Sequence, residues 1–561
     1  MLSDFDLEGK NKLQKAAYYL QNYGMTYTAK KALRKLGIPI SQESEYMTWC
    51  RRMEPSKLDL NAQRKSGFES TYHFTVVLEP GEEGRSLEWK KQTVLPVSVL
   101  KLKEGKNASD ILKRVKGEYL VYSGKNVVPR ENYLYEICLA AEGGADLIYT
   151  DEDNICGKKR FRPFFKPDAS PELLLNFQYM GRMFVIKKDL LERIVEETDR
   201  EVAILGDEWY EIALKAFRYA KQICHIPKVL FSNETKENTK TDFIRCTGGN
   251  QRGAIERYLE DEGVKGSVRS SDVEGFFHVE YELPEEPLVS IIIPNKDHTE
   301  DLKLCLNSLR EKESYRNYEV IIAENNSEEK ATFDYYEKIQ GEDDRIHVVT
   351  YQGRFNYSAI NNFAVRHAKG ELLLFLNNDT EFIDGKAIKE MVSSVLKEEV
   401  GACGAMLYYG DDTIQHAGVI IGMGGFAAHA LWSLTDRDEK YYPFSLCQRE
   451  VSAVTGACLM VRRSVYDEVE GMGEDFAVAL NDVDFCMKIC EKGYKILFNP
   501  YAKLYHYESK SRGYEDTAEK QARFQKEIDH FQSKWEKEIR AGDKYYNPNL
   551  TLHRADYSMD I

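Results

Sequence analysis

Uninterrupted apolar runs that end abruptly in polar residues are the clearest pattern in this chain. Residues 369–380 read Lys-Gly-Glu-Leu-Leu-Leu-Phe-Leu-Asn-Asn-Asp-Thr. An apolar run without alternation is typical of a strand buried on both faces of a parallel sheet. The pattern predicts that Asp379 lies just beyond the carboxyl end of such a strand, where open α/β sheets bind ligands.

The segments before this run predict a β–α–β arrangement. Residues 288–294 and 318–323 are apolar runs that favour strands, and both are followed by polar residues. Residues 299–311 carry Leu302, Leu306 and Leu309 at helical spacing, and a further helix is expected around 356–368. We therefore expect a Rossmann-like α/β unit in which three polar strand ends converge. No Gly-x-Gly-x-x-Gly follows the first strand, which argues against a dinucleotide site.

The carboxylate of Asp379 predicts a metal site at these strand ends. A carboxylate beside amides suits a hard divalent cation that also holds phosphates. The alternative is an ordinary turn stabilised by the Asp side chain.

Several further segments give the chain a resemblance to a known family. They are residues 355–362 (Phe-Asn-Tyr-Ser-Ala-Ile-Asn-Asn), 415–419 (Gln-His-Ala-Gly-Val), 454–458 (Val-Thr-Gly-Ala-Cys), 481–484 (Asn-Asp-Val-Asp) and 506–513 (His-Tyr-Glu-Ser-Lys-Ser-Arg-Gly). Over about residues 287–550 the chain resembles family 2 glycosyltransferases of the GT-A fold. It is similar to a rhamnosyltransferase-like subgroup of cell-surface polysaccharide assembly. In that family the strand ends in an Asp-x-Asp motif; here it is Asn377-Asn378-Asp379, so only the last Asp is retained.

The resemblance implies a role for each matching residue. Asp379 and His506 would bind Mg²⁺ or Mn²⁺, and Asp482 would be the general base of an inverting transfer. A simple hydrogen-bonded His and a capping carboxylate are the alternatives for His506 and Asp482. The residues implied in donor-nucleotide binding are Pro294, Asp297, Glu324, Asn325, Asn356, Asn362, Asn378 and Arg512. For Asn356 and Asn362 the alternative is a structural amide, and for Arg512 a surface loop.

An internal repeat predicts a second copy of the same unit. Residues 116–126 align with 369–379, and 181–190 align with 456–465. The alignment puts Asn126, with Lys125 beside it, at the position of Asp379. The first copy is therefore expected to be degenerate, although Asp151 and Asp153 leave a second metal site open. Its opening strand, 73–80, lacks an obvious second strand with an acidic end.

These features divide the chain into five parts. We predict a helical N-terminal extension (1–68), a degenerate GT-A-like domain (69–262), a linker (263–286), a catalytic GT-A domain (287–513) and a C-terminal helix and tail (514–561). The fold class is α/β, with two tandem Rossmann-like GT-A domains.

Composition and charge limit the partners. The net charge of −15 disfavours general nucleic-acid binding, and no apolar run approaches the roughly 20 residues of a membrane span. The sequence start has no secretory-signal pattern, and the 11 cysteines form no paired C-x-x-C pattern. We therefore expect a cytoplasmic protein. Residues 1–66 carry 12 Lys and Arg against 7 Asp and Glu, which leaves open a peripheral contact with the inner face of the membrane.

The sequence thus predicts an inverting, metal-dependent glycosyltransferase. The expected donor is a nucleotide-diphospho-sugar such as dTDP-L-rhamnose, and the expected acceptor is a bacterial surface polysaccharide or lipid-linked glycan. The alternatives are a bifunctional enzyme with two active domains and a non-catalytic carbohydrate-binding scaffold. The oligomeric state, including a homo-oligomer, is left open.

Overall fold

Two β-sheets with helices packed on them make up most of the described chain. The computed structural model describes residues 42–102, 107–198, 208–235, 250–438, 440, 442–507 and 517–560. Most of the predicted helical extension at 1–68, and Arg512, lie outside the described residues.

The first sheet has eight strands in the order β2-β1-β3-β7-β5-β8-β4, with β6 paired to β5. Its strands are β1 (Phe74–Leu78), β2 (Ser98–Lys101), β3 (Tyr119–Ser123), β4 (Val127–Pro129), β5 (Leu147–Cys156), β6 (Lys159–Phe164), β7 (Met183–Lys187) and β8 (Ile223–Glu234). The helices of this unit are α1 (Gln42–Met53), α2 (Lys57–Gln63), α3 (Ser86–Trp89), α4 (Ala108–Leu112), α5 (Tyr133–Glu142), α6 (Pro171–Asn176), α7 (Lys188–Glu196), α8 (Glu208–Tyr219) and α9 (Gln251–Asp261).

A hairpin of β9 (Gly266–Ser270) and β10 (Phe277–Tyr281) connects the two units. The second sheet has the order β13-β12-β11-β14-β21-β16-β22-β15, with β17 on β16 and β20 on β22. Its strands are β11 (Val289–Asn295), β12 (Tyr318–Glu324), β13 (Ile346–Thr350), β14 (Leu372–Leu376), β15 (Thr380–Phe382), β16 (Val400–Tyr408), β17 (Ile414–His416), β20 (Arg449–Val451), β21 (Cys458–Arg462) and β22 (Lys495–His506). A separate ribbon joins β18 (Val419–Ile421) to β19 (Ala427–His429).

The remaining helices belong to the second unit and the C-terminal part. They are α10 (Thr299–Lys312), α11 (Lys330–Glu342), α12 (Tyr357–Val365), α13 (Ala387–Val395), α14 (Tyr442–Ser445), α15 (Arg463–Glu468), α16 (Asn481–Glu491), α17 (Ala518–Lys534) and α18 (Glu536–Ala541). Short 3₁₀ turns occur at Phe68–Ser70, Glu83–Arg85 and Met423–Gly425.

The two sheets share one topology. The order β2-β1-β3-β7-β5-β8-β4 in the first sheet corresponds, strand for strand, to β12-β11-β14-β21-β16-β22-β15 in the second. The second sheet adds β13 at its edge and β20. The internal repeat predicted from the sequence is therefore confirmed as two α/β units with the same strand order.

The buried run of β14 explains why its sequence does not alternate. All five of its residues are buried. Leu373 and Phe375 face a core that includes Ile360 of α12 and Phe485 of α16. Leu372, Leu374 and Leu376 face a second core, to which α10 and α13 contribute. Helices cover both faces, so every position of the strand is apolar.

Two segments of the first half differ from the sequence-based expectation. The opening strand β1 does have a parallel neighbour, β2, with Val76 opposite Val99. This strand is short, only partly buried, and ends at Lys101 rather than at an acidic residue. The segment predicted as a linker contains the β9–β10 hairpin.

Buried polar contacts join the two units. The Glu450 carboxylate accepts a hydrogen bond from the Ser170 hydroxyl, and Tyr501 donates to Asn176 Oδ1 at 3.1 Å. Lys397 binds Glu172 at 2.5 Å. Ser170, Glu172, Asn176 and Glu450 are buried away from water, so each would be left unsatisfied if its partner were lost.

The described helices include none that is long and apolar enough to cross a membrane. No disulfide joins the cysteines in the described part of the chain.

Candidate active site

The carboxyl ends of β11, β12 and β14 meet in one polar cluster. Asn378, just after β14, donates its side-chain amide to Asn295 Oδ1 at 2.6 Å. Asn295 donates to the Tyr336 hydroxyl at 2.7 Å, and that hydroxyl donates to Glu324 Oε2 at 3.0 Å. One chain of hydrogen bonds therefore joins the three strand ends that the sequence analysis expected to converge.

The two acidic residues expected in the nucleoside pocket hold the loop after β12. Glu324 is buried and accepts the backbone N–H of Ser327 at 2.7 Å. Asp297 has a left-handed φ of 50° and accepts the backbone N–H groups of Glu328 and Glu329 at 3.0 and 2.9 Å. These carboxylates order the loop 325–329. A carboxylate oxygen has more than one lone pair, so a base N–H can share it.

Two neighbouring candidates form the wall of the same region. The Asn325 side chain donates to the carbonyl oxygens of Tyr351 and Gly353, both at 3.0 Å. Pro294 is the penultimate residue of β11 and lies opposite Ala323 of β12.

Asn356 and Asn362 use their amides within the fold. Asn356 caps α12, with Oδ1 accepting the Ala359 N–H at 3.0 Å and Nδ2 donating to the Glu474 carbonyl at 2.7 Å. Asn362 bonds to both the N–H and the carbonyl of Met472, at 3.0 and 2.9 Å. Both amides tie α12 to residues 472–474. These contacts correspond to the structural alternative; a role in nucleotide binding stays a prediction.

Asp379 and His506 lie side by side because β15 and β22 pair in antiparallel register, with Thr380 opposite His506. His506 Nε2 is 3.1 Å from Asp379 Oδ1, and both side chains are buried. The side-chain amide of Asn377 approaches the same Nε2 at 3.2 Å. On the other side of the ring, Nδ1 lies 2.9 Å from Gln415 Oε1.

The spacing of this pair fits a divalent cation. Ligands bound about 2.1 Å from an octahedral ion and at right angles to one another are about 3.0 Å apart. The 3.1 Å between His506 Nε2 and Asp379 Oδ1 agrees with that value. Mg²⁺-type ions commonly take one or two protein ligands and complete their shell with phosphate oxygens and water. Asp379 and His506 could thus supply two of the ligands of such an ion.

Asp482 lies in the first turn of α16 with both oxygens directed to backbone groups. Oδ2 accepts the Gly456 N–H at 2.9 Å and Oδ1 accepts the Val483 N–H at 2.8 Å. The side chain remains partly exposed. The Tyr357 hydroxyl donates to the Gly456 carbonyl at 2.8 Å.

Tyr357 connects the candidate metal ligand with the candidate base. Burial raises the pKa of Tyr357, and the nearby charges of Asp482 and Asp379 raise it further. The phenol therefore stays protonated, and its hydroxyl also lies 3.4 Å from Asn377 Oδ1. Asp379 and Asp482 thus both lie close enough to Tyr357 to affect its pKa.

His416 supports the same loop from inside the protein. Its Nε2 accepts the backbone N–H groups of Gly418 and Thr455 at 3.3 and 3.4 Å. Burial, together with His429, holds the pKa of His416 well below its usual range. A neutral imidazole therefore anchors the residue next to Gly456.

The C-terminal helix holds the segment that carries Asp482. Glu527 of α17 accepts the backbone N–H groups of Val478 and Ala479 at 2.9 and 3.2 Å. Asp484, which is fully buried, accepts from Trp535 Nε1 at 2.9 Å. These contacts fix both sides of the turn that begins α16. Asp484 therefore anchors this helix.

The first unit lacks the metal-ligand pair. Asn126 precedes β4 as Asp379 precedes β15, and Asn233 lies opposite Val127 as His506 lies opposite Thr380. Two amides therefore replace a carboxylate and an imidazole.

In the first unit, other protein groups already bind both carboxylates of the acidic pair, Asp151 and Asp153. Asp151 accepts hydrogen bonds from the Asn547 amide at 2.9 Å and lies 2.9 Å from His225 Nε2. Asp153 binds Arg160 Nε at 2.5 Å and the Tyr46 hydroxyl at 2.6 Å. Both carboxylates are fully buried. These partners occupy the oxygens that a metal ion would need.

Sequence reasoning missed three supporting residues. It gave Gln415 no role beyond lining the acceptor side, and gave none to Tyr357 or Glu527. Their partners are far away in the chain: 91 residues separate Gln415 from His506, and 49 separate Glu527 from Val478. Residue spacing carries no signal for such contacts.

A protein-family model matches part of the second unit. Residues 290–470 match the family model described as Glycosyl transferase family 2. The match covers most of the second unit, and the first unit repeats the strand order of that unit.

Several curated proteins are similar to this chain in sequence. The chain is 33% identical over 456 residues to the O-antigen biosynthesis protein RfbC of Myxococcus xanthus, covering 79% of this chain and 34% of that protein. It is 37% identical over 428 residues to the uncharacterized protein y4gI of Sinorhizobium fredii, covering 74% of this chain and 46% of that protein. It is 30% identical over 91 residues to the N-acetylglucosaminyl-diphospho-decaprenol L-rhamnosyltransferase of Mycobacterium tuberculosis, covering 16% of this chain and 29% of that protein. The chain spans less than half the length of these relatives.

Proposed function

We propose that this protein is an inverting, metal-dependent glycosyltransferase of polysaccharide biosynthesis. Two observations support the proposal: His506 contacts Asp379, and Asp379 and Asp482 both raise the pKa of Tyr357. Of Asp379, His506 and Asp482, only Asp482 lies at a helix start, where a capping role would account for it. For Asp379 and His506, 3.1 Å apart, the alternative is a simple hydrogen bond between the two side chains, which measuring metal binding distinguishes from a metal site.

Asp379 Oδ1 and His506 Nε2 would hold Mg²⁺ or Mn²⁺ at the donor's diphosphate. When bound, the cation offsets the negative charge that develops on the departing nucleoside diphosphate. Glu324, Asp297 and Asn325 would line the nucleoside side of the pocket. Asn378 connects that side to the metal ligands through Asn295. Arg512, which lies outside the described residues, is proposed to bind phosphate.

Asp482 would act as the general base. Its carboxylate takes the proton of the acceptor hydroxyl as the hydroxyl oxygen attacks the anomeric carbon. The bond between that carbon and the phosphate oxygen breaks, and the nucleoside diphosphate leaves with the electron pair. Attack from the face opposite the leaving group inverts the anomeric configuration. The backbone N–H groups of Gly456 and Val483 hold the carboxylate for this role.

For the donor we propose a nucleotide-diphospho-sugar, with dTDP-L-rhamnose tested first. The rhamnosyltransferase relative supports this order of testing. The acceptor proposed is a growing surface polysaccharide or a lipid-linked glycan, used at the inner face of the bacterial membrane. The saturated Asp151 and Asp153 of the first unit weigh against a bifunctional enzyme.

A donor screen tests the proposal. The full chain is incubated with dTDP-L-rhamnose, UDP-glucose and other nucleotide-sugars in Mn²⁺, Mg²⁺ or a chelator, and nucleoside diphosphate release is measured. We expect metal-dependent release from one donor, lost in Asp379→Ala and kept in the control Asp475→Ala. Asp475 is an exposed carboxylate of the loop before α16, bound to His530 at 2.8 Å. Release from no donor, with or without glycan acceptors, would favour the non-catalytic scaffold.

A further inference from the structure

Gln415 lies buried behind the imidazole of His506, on the side opposite Asp379. Strand β17 pairs with β16, and β16 pairs with β22, so the register brings residue 415 next to residue 506. Gln415 Oε1 is 2.9 Å from His506 Nδ1, and the glutamine is only 3% exposed. A buried contact of this length is a hydrogen bond that the ring cannot exchange for water.

Two partners select the same tautomer of His506. An amide oxygen accepts only, so in this orientation of the Gln415 amide Nδ1 carries the proton. Asn377 presents its donor Nδ2 at 3.2 Å from Nε2, so Nε2 must offer its lone pair. In this tautomer the Nε2 lone pair lies on the same side as Asp379 Oδ1, 3.1 Å away. Two electron-rich atoms so close together repel each other, and a cation bound between them would relieve that repulsion.

The other orientation of the glutamine amide would have the opposite effect. A donor NH₂ facing Nδ1 would move the proton to Nε2. The ring would then donate a hydrogen bond to Asp379, and neither atom would be available to a cation. The orientation of the Gln415 amide therefore decides whether Asp379 and His506 can ligate a metal ion together or hydrogen-bond to each other.

We infer that Gln415 is a positioning residue that fixes His506 in the tautomer able to ligate a divalent cation. The inference rests on the metal-dependent transfer proposed above and adds a determinant of metal affinity outside the ligand set. Metal-binding histidines generally donate their other N–H to such a partner, and losing it costs 10- to 100-fold in metal affinity.

Two substitutions of Gln415 separate positioning from packing. Gln415→Leu keeps much of the volume and removes the acceptor. Gln415→Glu keeps an acceptor oxygen on a side chain of the same length. Gln448→Leu is the matched control, because Gln448 is equally buried at 3% exposure and bonds to Ser394 at 3.1 Å. Thermal unfolding of each variant shows whether it folds.

Mn²⁺ binding to the full chain is measured by electron paramagnetic resonance in the presence of dTDP or UDP. We expect Gln415→Leu to bind Mn²⁺ about 10- to 100-fold more weakly. Gln415→Glu and Gln448→Leu should stay near the wild-type affinity. Wild-type affinity in a folded Gln415→Leu would overturn the inference while leaving the metal site intact. Failure of the wild-type protein to bind Mn²⁺ would instead overturn the metal-dependent function.

The tautomer itself provides a readout independent of binding. The ¹⁵N resonances of the His506 imidazole distinguish protonation at Nδ1 from protonation at Nε2. We expect Nδ1–H in the metal-free wild-type protein and a shift toward Nε2–H in Gln415→Leu. A wild-type ring protonated at Nε2 would contradict the proposed role of Gln415.

Discussion

Replacing Asp482 with Asn removes the negative charge of the proposed base and changes its size very little. A positioned general base contributes about 10²- to 10⁴-fold to the rate. That factor corresponds to about 3 to 5 kcal/mol of transition-state stabilisation. We expect kcat to fall by this factor, while the affinity for donor and Mn²⁺ changes little, because the metal ligands are Asp379 and His506.

The structure also predicts a smaller effect of this substitution on stability. Both Asp482 oxygens accept backbone N–H groups, from Gly456 at 2.9 Å and Val483 at 2.8 Å. Asn has one acceptor oxygen, so one N–H loses its partner and faces an NH₂ group. An unsatisfied buried donor costs about 1 to 3 kcal/mol, and partial exposure of this side chain reduces that cost. We therefore expect the variant to fold, with a melting temperature a few degrees lower.

The assay combines three measurements on one preparation. Steady-state transfer gives kcat and KM, calorimetry gives the donor affinity in Mn²⁺, and thermal unfolding gives stability. Asp475→Asn, in the loop before α16, is the charge-matched control and should keep normal kcat. A loss of donor affinity as large as the loss of kcat would refute the assignment of Asp482 as base and make it a structural or metal-binding residue.

Three further predictions test the groups around the site. Glu527→Ala should lower kcat and the melting temperature without changing Mn²⁺ affinity, because it frees the 478–479 backbone before Asp482. The control is Glu519→Ala, at an exposed position of the same helix, which should change neither kcat nor the melting temperature. Asn356→Ala should destabilise the protein by about 1 kcal/mol through loss of the α12 cap, whereas Asn356→Asp should preserve the cap; weaker donor binding by a stable Asn356→Asp would favour a direct nucleotide contact. Burial lowers the pKa of His225, but the charges of Asp151 and Asp168 outweigh burial, so its pKa is raised in the folded protein. The contribution of His225 to the free energy of unfolding should be complete below about pH 6.5, its pKa in the unfolded chain, and lost as the pH rises through its pKa in the folded protein. Denaturant unfolding at several pH values should show this decrease in the free energy of unfolding, and His225→Asn should abolish the decrease.

The sequence was informative where one local pattern determines the structure. The run before Asp379 could be recognised as a doubly buried strand because helices cover both of its faces. The polar strand ends could be expected to converge because parallel strands of one sheet end at the same edge. The repeat was visible because residues 116–126 keep the pattern of 369–379. Strand β2 was missed because it is short and only partly buried.

The supporting contacts of the site were beyond sequence reasoning. The amides of Asn356 and Asn362 matched the family pattern, yet they bind residues more than 100 positions away. The saturation of Asp151 by Asn547 depends on a contact across 396 positions. Such partners are set by how the two units and the C-terminal helix pack. These partners determine whether a carboxylate is available to a ligand or already bound by other protein groups.

Calorimetric titration of the full chain with its donor nucleotide-sugar and Mn²⁺, beside the Asp379→Ala variant, tests the central claim most directly. We propose a single donor site, in the second unit, since Asn126 and Asn233 replace the metal ligands in the first. This proposal predicts one site per chain in the wild-type protein and none in the variant. Two sites in the wild-type protein, or one site that survives in Asp379→Ala, would contradict the account and restore the bifunctional alternative.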